Sequence, residues 1–184
     1  TDSWGHAQGR LDLHGRVGWR DATEVAYYGL GIDSPELRSN FRLKQTYFGG
    51  DIQARPGRFT VFNAGAAYED YQLEEGAGTA PSIEEIFTPA TAPGLGASPT
   101  YLHTMASAGL DWRRPGPGYG RRGGLYQVTY HNYADQDDTL SFDRADGEIV
   151  QHIPILRENW VISLHGLVQT TLDDDDTVPY FLLP

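Results

Sequence analysis

Ser163 and His165 are the residues whose types and spacing come closest to covalent chemistry. Two positions apart on an extended strand they share a face, and a hydroxyl beside a base is the core of a nucleophilic site. No acidic third member accompanies them, and polar strand residues account for both. Six histidines, at 6, 14, 103, 131, 152 and 165, are scattered, with no His-Glu-x-x-His run and no helical i, i+4 pair to hold a metal. Gly118-Tyr119-Gly120-Arg121-Arg122-Gly123 fits the G-x-G-x-x-G pattern of dinucleotide sites. That pattern binds pyrophosphate where a helix begins, whereas the next residues, Leu125-Tyr126-Gln127-Val128-Thr129-Tyr130, have the two-residue period of a strand. The motif therefore reads as a turn. Asp173 to Asp176 offers carboxylates to calcium but lacks the spaced acids and the glycine of a calcium loop, so it reads as a solvated acidic loop. We expect no catalytic, cofactor-binding or metal-ligating residues, and no cofactor.

Composition bounds the rest. A chain of 184 residues suits one domain. The net charge of -11 argues against a nucleic-acid surface. The arginines of the 113–122 stretch read as a solvated turn. No cysteine is present, which removes disulfides and thiolate zinc. No run reaches the ~18 apolar residues of a membrane-spanning helix. Mean hydropathy of -0.47 suggests a chain for water, but a barrel defeats that test because half of each strand is polar. The chain starts at Thr1 with neither Met nor leader, so we expect it to be processed or cut from something larger.

The elements that must position these residues are strands. Tyr101 to Tyr133 reads as a hairpin: Leu102, Thr104, Ala106, Ala108, Leu110 and Trp112 oppose His103, Met105, Ser107, Gly109 and Asp111 across the first strand. Tyr126, Val128 and Tyr130 oppose Gln127, Thr129, His131 and Tyr133 across the second. Similar alternation predicts strands over Leu11 to Trp19, Glu24 to Leu30, Phe41 to Ala54, Phe59 to Tyr71, Leu140 to Ile153 and Trp160 to Thr170. Arg20-Asp21-Ala22 reads as a short turn. Phe41, Leu43 and Tyr47 share a parity that Ile52 and Ala54 abandon, which predicts a bulge at Gly49-Gly50. Pro81-Ser82-Ile83-Glu84-Glu85 resembles a capping box and predicts one or two helical turns through Phe87 inside the 72–99 loop. The fold class expected is all-β, an antiparallel transmembrane β-barrel segment of about eight long strands. Connections at 20–22, 55–58 and 154–159 are short and the one at 113–124 is longer but rigid in composition, whereas those at 32–40, 72–99 and 171–177 are long, with the 134–138 turn as the exception; outer-membrane barrels show this asymmetry. Trp19, Tyr27, Tyr28, Tyr47, Phe48, Tyr71, Tyr101, Trp112, Tyr126, Tyr133 and Trp160 lie mostly near strand ends and read as interfacial girdles.

Four stretches carry a family resemblance. Tyr27-Tyr28-Gly29-Leu30-Gly31-Ile32-Asp33-Ser34 resembles the F/Y-Y-G-L-G-x-D-S stretch of the bacterial surface-antigen barrels, the superfamily of BamA and TamA. Asp111-Trp112-Arg113-Arg114-Pro115 through Gly123-Gly124 resembles that family's periplasmic turn. Val150-Gln151-His152-Ile153-Pro154-Ile155 resembles its strand-ending Pro-Leu turn. Val178-Pro179-Tyr180-Phe181-Leu182-Leu183-Pro184 resembles the segment before its Arg-Gly-Phe/Tyr loop motif. That motif, the periplasmic POTRA repeats and the aromatic-terminated last strand are not in this chain. The resemblance implies an internal part, spanning 1–184, of a larger barrel of about 16 strands. Thr171 to Pro184 would then begin a long loop folded into the lumen, the 113–124 turn would face the periplasm, and the 72–99 loop would face outward. The parent would reside in the bacterial outer membrane and act in insertion or export of outer-membrane proteins. Its partners would be the lipid bilayer, unfolded outer-membrane protein substrates and periplasmic or assembly-complex proteins, with no nucleic acid. It would not be an enzyme. Three other readings fit the alternation: a complete small eight-stranded barrel of structural or adhesive role, a barrel-wall hydrolase using Ser163 and His165, and a soluble carbohydrate-binding β-sandwich.

Overall fold

The computed structural model of the chain describes residues 2–6 (backbone only), 10–29, 37–113, 122–155, 160–173 and 178–183. It is all-β: seven long antiparallel strands form one curled, half-barrel sheet. A short strand β1 (Asp2–His6) pairs along one edge. The long strands come in chain order as β2 (Leu11–Tyr27), β3 (Ser39–Ala54), β4 (Thr60–Glu75), β5 (Thr100–Asp111), β6 (Gly123–Asp135), β7 (Phe142–Ile155) and β8 (Trp160–Thr171). Each pairs with its chain neighbours, so the sheet is a pure meander. Local connection is what antiparallel strands with short turns permit.

Two expected features are corrected. Leu11 to Trp19 and Glu24 to Leu30 are not separate strands, because Arg20, Asp21 and Ala22 stay in register with Gln45, Lys44 and Leu43. The residues that look like a turn extend β2 outward, where Asp21 meets the Arg42 guanidinium at 2.7 Å. The irregularity of β2 falls between Ala22 and Val25. The second correction concerns Gly49-Gly50, where pairing to both neighbours runs through without a shift. The glycines serve close approach instead: a Cβ on Gly49 would sit 2.6 Å from Ala67 Cα, and one on Gly50 2.7 Å from the His14 carbonyl oxygen.

The parity change that suggested a bulge has another cause. Phe41 and Leu43 are buried on the inner face, while Phe48 and Ile52 are exposed on the outer one. Apolar residues change face partway along a regular strand because different things cover the two halves. Beside the long loops, the inner face carries Tyr27, Phe41, Leu43, Tyr71, Tyr101, Tyr133 and Phe142 in one buried cluster. Helix α1 (Ile83–Ile86), the 88–97 turns and residues 178–183 close over it. Tyr180 packs edge-on against Tyr27 and Phe41 at ring distances of 5.2 and 5.0 Å, and its N–H donates to the Pro93 carbonyl. Val178 is fully buried, so this segment belongs to the core and to no strand.

Helix α1 forms where expected, but its cap differs from a capping box. Ser82 takes the N-cap position with no side-chain hydrogen bond, and its hydroxyl is buried without a partner among the described residues. The aromatic girdle also needs correcting. Tyr27, Tyr71, Tyr101 and Tyr133 are core residues on the inner face. Trp19, Tyr28, Phe48, Tyr126 and Trp160 are the exposed ones.

Toward the other end of the strands the outer face becomes apolar and stays uncovered. Leu13, Val17, Trp19, Phe48, Ile52, Phe62, Leu102, Leu110, Val128, Ile149, Ile162, Leu164 and Val168 are all exposed, Val17 by 82% and Trp19 by 80%. On the inner face at the same level the polar residues are the sheltered ones: Glu69, His103, Ser107 and His131 are buried.

Candidate functional site

Strands place alternate residues on one face, and neighbouring antiparallel strands bring diagonal positions within reach of long side chains. On the inner face this aligns Glu69 of β4, His103 of β5, His131 of β6 and Asp146 of β7. His103 pairs directly with Ala67, His131 with Met105 and Asp146 with Thr129, so each polar contact runs one diagonal step across a strand boundary. Glu69 Oε1 lies 2.9 Å from His103 Nδ1, and His103 Nε2 lies 2.9 Å from His131 Nδ1. His131 Nε2 lies 3.3 Å from Asp146 Oδ2.

Each end of the row is held. Tyr71 donates its hydroxyl to Glu69 Oε2 at 2.7 Å, and the Gln45 amide donates to the same oxygen at 3.3 Å. Gln169 of β8 donates to Asp146 Oδ2 at 3.1 Å, and Arg144 stands 3.0 Å from Oδ1. Arg16 of β2 approaches Glu69 at 3.9 Å. One connected polar row thus spans β3 to β8, roofed by the stacked rings of His103 and Tyr133 at 4.1 Å.

The protons can be counted. Three contacts of the kind carboxylate–imidazole–imidazole–carboxylate need three N–H groups on two rings, one more than a neutral pair carries. Such a row ties five strand pairs together. His103 is only 6% exposed and Glu69 7%, so the row reaches no substrate-sized space. Its chemistry is that of a buried, hydrogen-bonded clamp.

Ser163 and His165 do share a face of β8, but the structure separates them into different pairs. Ser163 Oγ lies 2.9 Å from His152 Nδ1, and His165 Nε2 lies 3.0 Å from Glu148 Oε1. The serine meets a histidine without a carboxylate behind it among the described residues, and the histidine backed by a carboxylate meets no nucleophile. Both lie in exposed strand. Among the described residues no group of three or more His, Cys, Asp or Glu could hold a metal. Of the acidic run, Asp173 accepts from the Asp143 N–H, and Asp174 to Asp176 lie outside the described residues. Most of the G-x-G-x-x-G stretch, 118–121, lies outside them too. The stretch leads into strand β6 rather than a helix, and β6 is entered at Gly123 with φ of 113°, where a Cβ would collide with the Trp112 carbonyl.

Sequence reading missed the clamp because its members lie on four strands with 28 residues or more between bonded histidine and partner for the Glu69–His103–His131 part. The available signal was parity: Glu69, His103 and His131 all occupy the polar positions of their strands. Outside the strands, burial pushes the Tyr180 phenol well above the ordinary tyrosine range. The Asp111 carboxylate beside Arg113 raises that guanidinium further. Comparison of the chain with protein-family models, curated proteins and solved structures finds no match.

Proposed function

We propose that the chain is part of an outer-membrane β-barrel wall, belonging to a protein of the assembly or translocation type. One observation carries the first half: a single curled sheet whose uncovered convex face is apolar while its concave face is polar and sheltered. A soluble sandwich buries its apolar face under a second sheet. Here the exposed apolar positions are continuous from β2 to β8. In β8 they run from Trp160 to Val168, about 26 Å at 3.3 Å per residue. At a tilt near 40° that is about 20 Å of height, close to the ~25 Å apolar band of outer-membrane barrels. Trp19, Tyr68 and Tyr130 sit toward one rim of this band, and Phe62, Trp112, Tyr126 and Trp160 toward the other. Asp21, Arg42, Lys44 and Glu74 mark where it ends, as three mutual ion pairs.

The second half rests on the resemblance to the surface-antigen barrels. The inward-packed 178–183 segment agrees with the lumen loop that resemblance implies. In such a protein the work is done by backbone. A barrel wall satisfies its donors and acceptors by pairing, and a weakly paired seam offers an edge to an incoming strand.

The absence of cysteine makes the test direct. Single cysteines at Val17, Val128 and Leu164 are expected to resist a water-soluble maleimide in lipid vesicles and to react once the chain is unfolded in detergent. Labelling at the same rate in both states would sink the membrane reading. Vesicles carrying the parent protein are further expected to speed the folding of an unfolded outer-membrane barrel. No gain over empty vesicles removes the assembly role and leaves the barrel wall standing.

A further inference from the structure

At the short-connection end of the sheet lies a concavity of about 620 Å³. Arg55 and Arg58 reach it from the β3–β4 connection, and Arg113 and Arg122 from the β5–β6 connection. One acid, Asp111, lines it with them. Asp111 binds Arg113 through two contacts of 3.0 Å and Arg55 at 3.4 Å, so a single carboxylate positions two guanidinium groups. No carboxylate among the described residues pairs with Arg58 or Arg122. Arg58 instead lies over the Phe59 ring, 5.0 Å from its centre. The pocket therefore holds four permanent positive charges against one negative, in a chain whose net charge is -11.

A second concavity of about 730 Å³ opens on the outer face and is almost wholly apolar. Its lining includes Phe62, Leu110, Tyr126 and Ile149. Trp112 of the arginine pocket packs edge-on against Tyr126 of this groove, their ring centres 4.8 Å apart, so the two concavities adjoin at the strand ends. A cationic pocket beside an apolar groove matches one kind of molecule: an anionic phosphate ester attached to an acyl chain. Guanidinium forks bind phosphate oxygens in pairs, and the groove offers the chain an almost wholly apolar surface.

We infer that Arg55, Arg58, Arg113 and Arg122 form a headgroup site for an anionic phospholipid, with an acyl chain in the adjoining outer groove. This rests on the membrane reading of the outer face. The shared chemistry with free phosphate is the phosphate group; the groove assigns the lipid as its source.

The test uses the full chain in vesicles of phosphatidylcholine containing trace spin-labelled phosphatidylglycerol or spin-labelled phosphatidylcholine. Electron paramagnetic resonance reads the fraction of each label immobilised by the protein. Phosphatidylglycerol is expected to be favoured over phosphatidylcholine, and R58Q/R122Q to cut that preference about fivefold or more, the effect of losing roughly one or more surface arginine–lipid attractions. Both positions are exposed, so the exchange leaves the fold intact. R38Q, at the opposite end of the sheet, is expected to keep the preference. Equal preference in R58Q/R122Q and the parent chain overturns the site. Inorganic phosphate displacing the labelled phosphatidylglycerol at concentrations where chloride of equal ionic strength does not would make free phosphate the ligand and overturn the lipid assignment. In the same vesicles the Val128 cysteine separates the two failures. If it stays shielded while the preference is unchanged, the pocket inference alone fails; if it labels freely, the membrane reading fails first.

Discussion

The two halves of each long strand obey opposite rules. Beside the long loops, β2 to β7 turn Tyr27, Phe41, Tyr71, Tyr101, Tyr133 and Phe142 inward and leave Asp21, Arg42, Lys44 and Glu74 outside. Toward the short connections the same strands turn Phe62, Leu110, Tyr126 and Ile149 outward. The backbone is continuous through the change, as the unbroken β3–β4 pairing shows. What differs is the cover. The inner face of the first half is sealed by α1, the 88–97 turns and residues 178–183. Charge obeys the same division. Arg10, Arg55, Arg58, Arg113, Arg114, Arg121, Arg122 and Arg157 fall in the β1–β2, β3–β4, β5–β6 and β7–β8 connections, with Glu158 as the one acid. The alternate connections, and the stretch after β8, hold Asp33, Glu36, Glu84, Glu85, Asp137, Asp138 and Asp173 to Asp176 against Arg38. Polarity along a strand thus reports its surroundings, and a strand can cross two of them without bending.

The division can be attacked first at its densest point. Tyr101 is fully buried, touches the rings of Tyr71, Tyr133 and Phe142, and donates its hydroxyl to the Leu140 carbonyl at 3.0 Å. Tyr101→Ala should lower unfolding stability by about 3–5 kcal/mol, the usual result of emptying a large aromatic site; a denaturant titration reads it. A loss below about 1 kcal/mol would mean that the loops and residues 178–183 do not seal this face.

In the other half the expected failure is insertion. Val128→Arg places a charge on the exposed apolar face and should cost about 2–4 kcal/mol for folding into vesicles. Gln127→Arg, one residue away and facing Glu148 across the ladder, should fold nearly as the parent chain does. Equal behaviour of the two would erase the distinction between the faces.

The clamp lies between the halves and should yield an intermediate effect. Glu69→Gln removes the charge that Tyr71, Gln45 and His103 share, and should cost about 1–3 kcal/mol, the range for leaving buried polar groups poorly paired. In nitrogen-15 spectra the ring signals of both His103 and His131 should move, because the two rings are in direct contact at 2.9 Å. Movement of His103 alone would show that the row is not connected.

The smallest effect concerns pH. Tyr180 is held neutral by burial, its phenol raised above the ordinary value. Its folded pKa exceeds its unfolded one, so the stability it contributes is whole below pH ~10 and declines as pH rises beyond that, where the unfolded chain ionises freely. Tyr180→Phe should match the parent at neutral pH and lose less stability above pH ~10 in thermal melts. Parallel decline in both would place the alkaline sensitivity elsewhere.

Much of the fold was open to reading because antiparallel strands write their faces into alternate residues. The hairpin faces of β5 and β6, the strand rather than helix after the Gly-rich stretch, and helix α1 all come from local pattern. The merging of two strands into β2 did not, since Arg20-Asp21-Ala22 is polar for the sake of the Arg42 ion pair, which lies across the ladder. Ser163 and His165 share a face as expected, yet only the register of β7 against β8 gives each a different partner, His152 and Glu148.

Alternation, turn residues and composition by themselves determined an all-β antiparallel chain with one apolar and one polar face per strand. Only the tertiary structure decided which face is covered, and where. Local period records that a strand separates two environments, but burial depends on segments far away in sequence, here residues 83–97 and 178–183. The same holds for the clamp. Parity put Glu69, His103 and His131 on polar faces, and the register of four strands, fixed only when the whole sheet forms, brought them into one hydrogen-bonded row with Asp146.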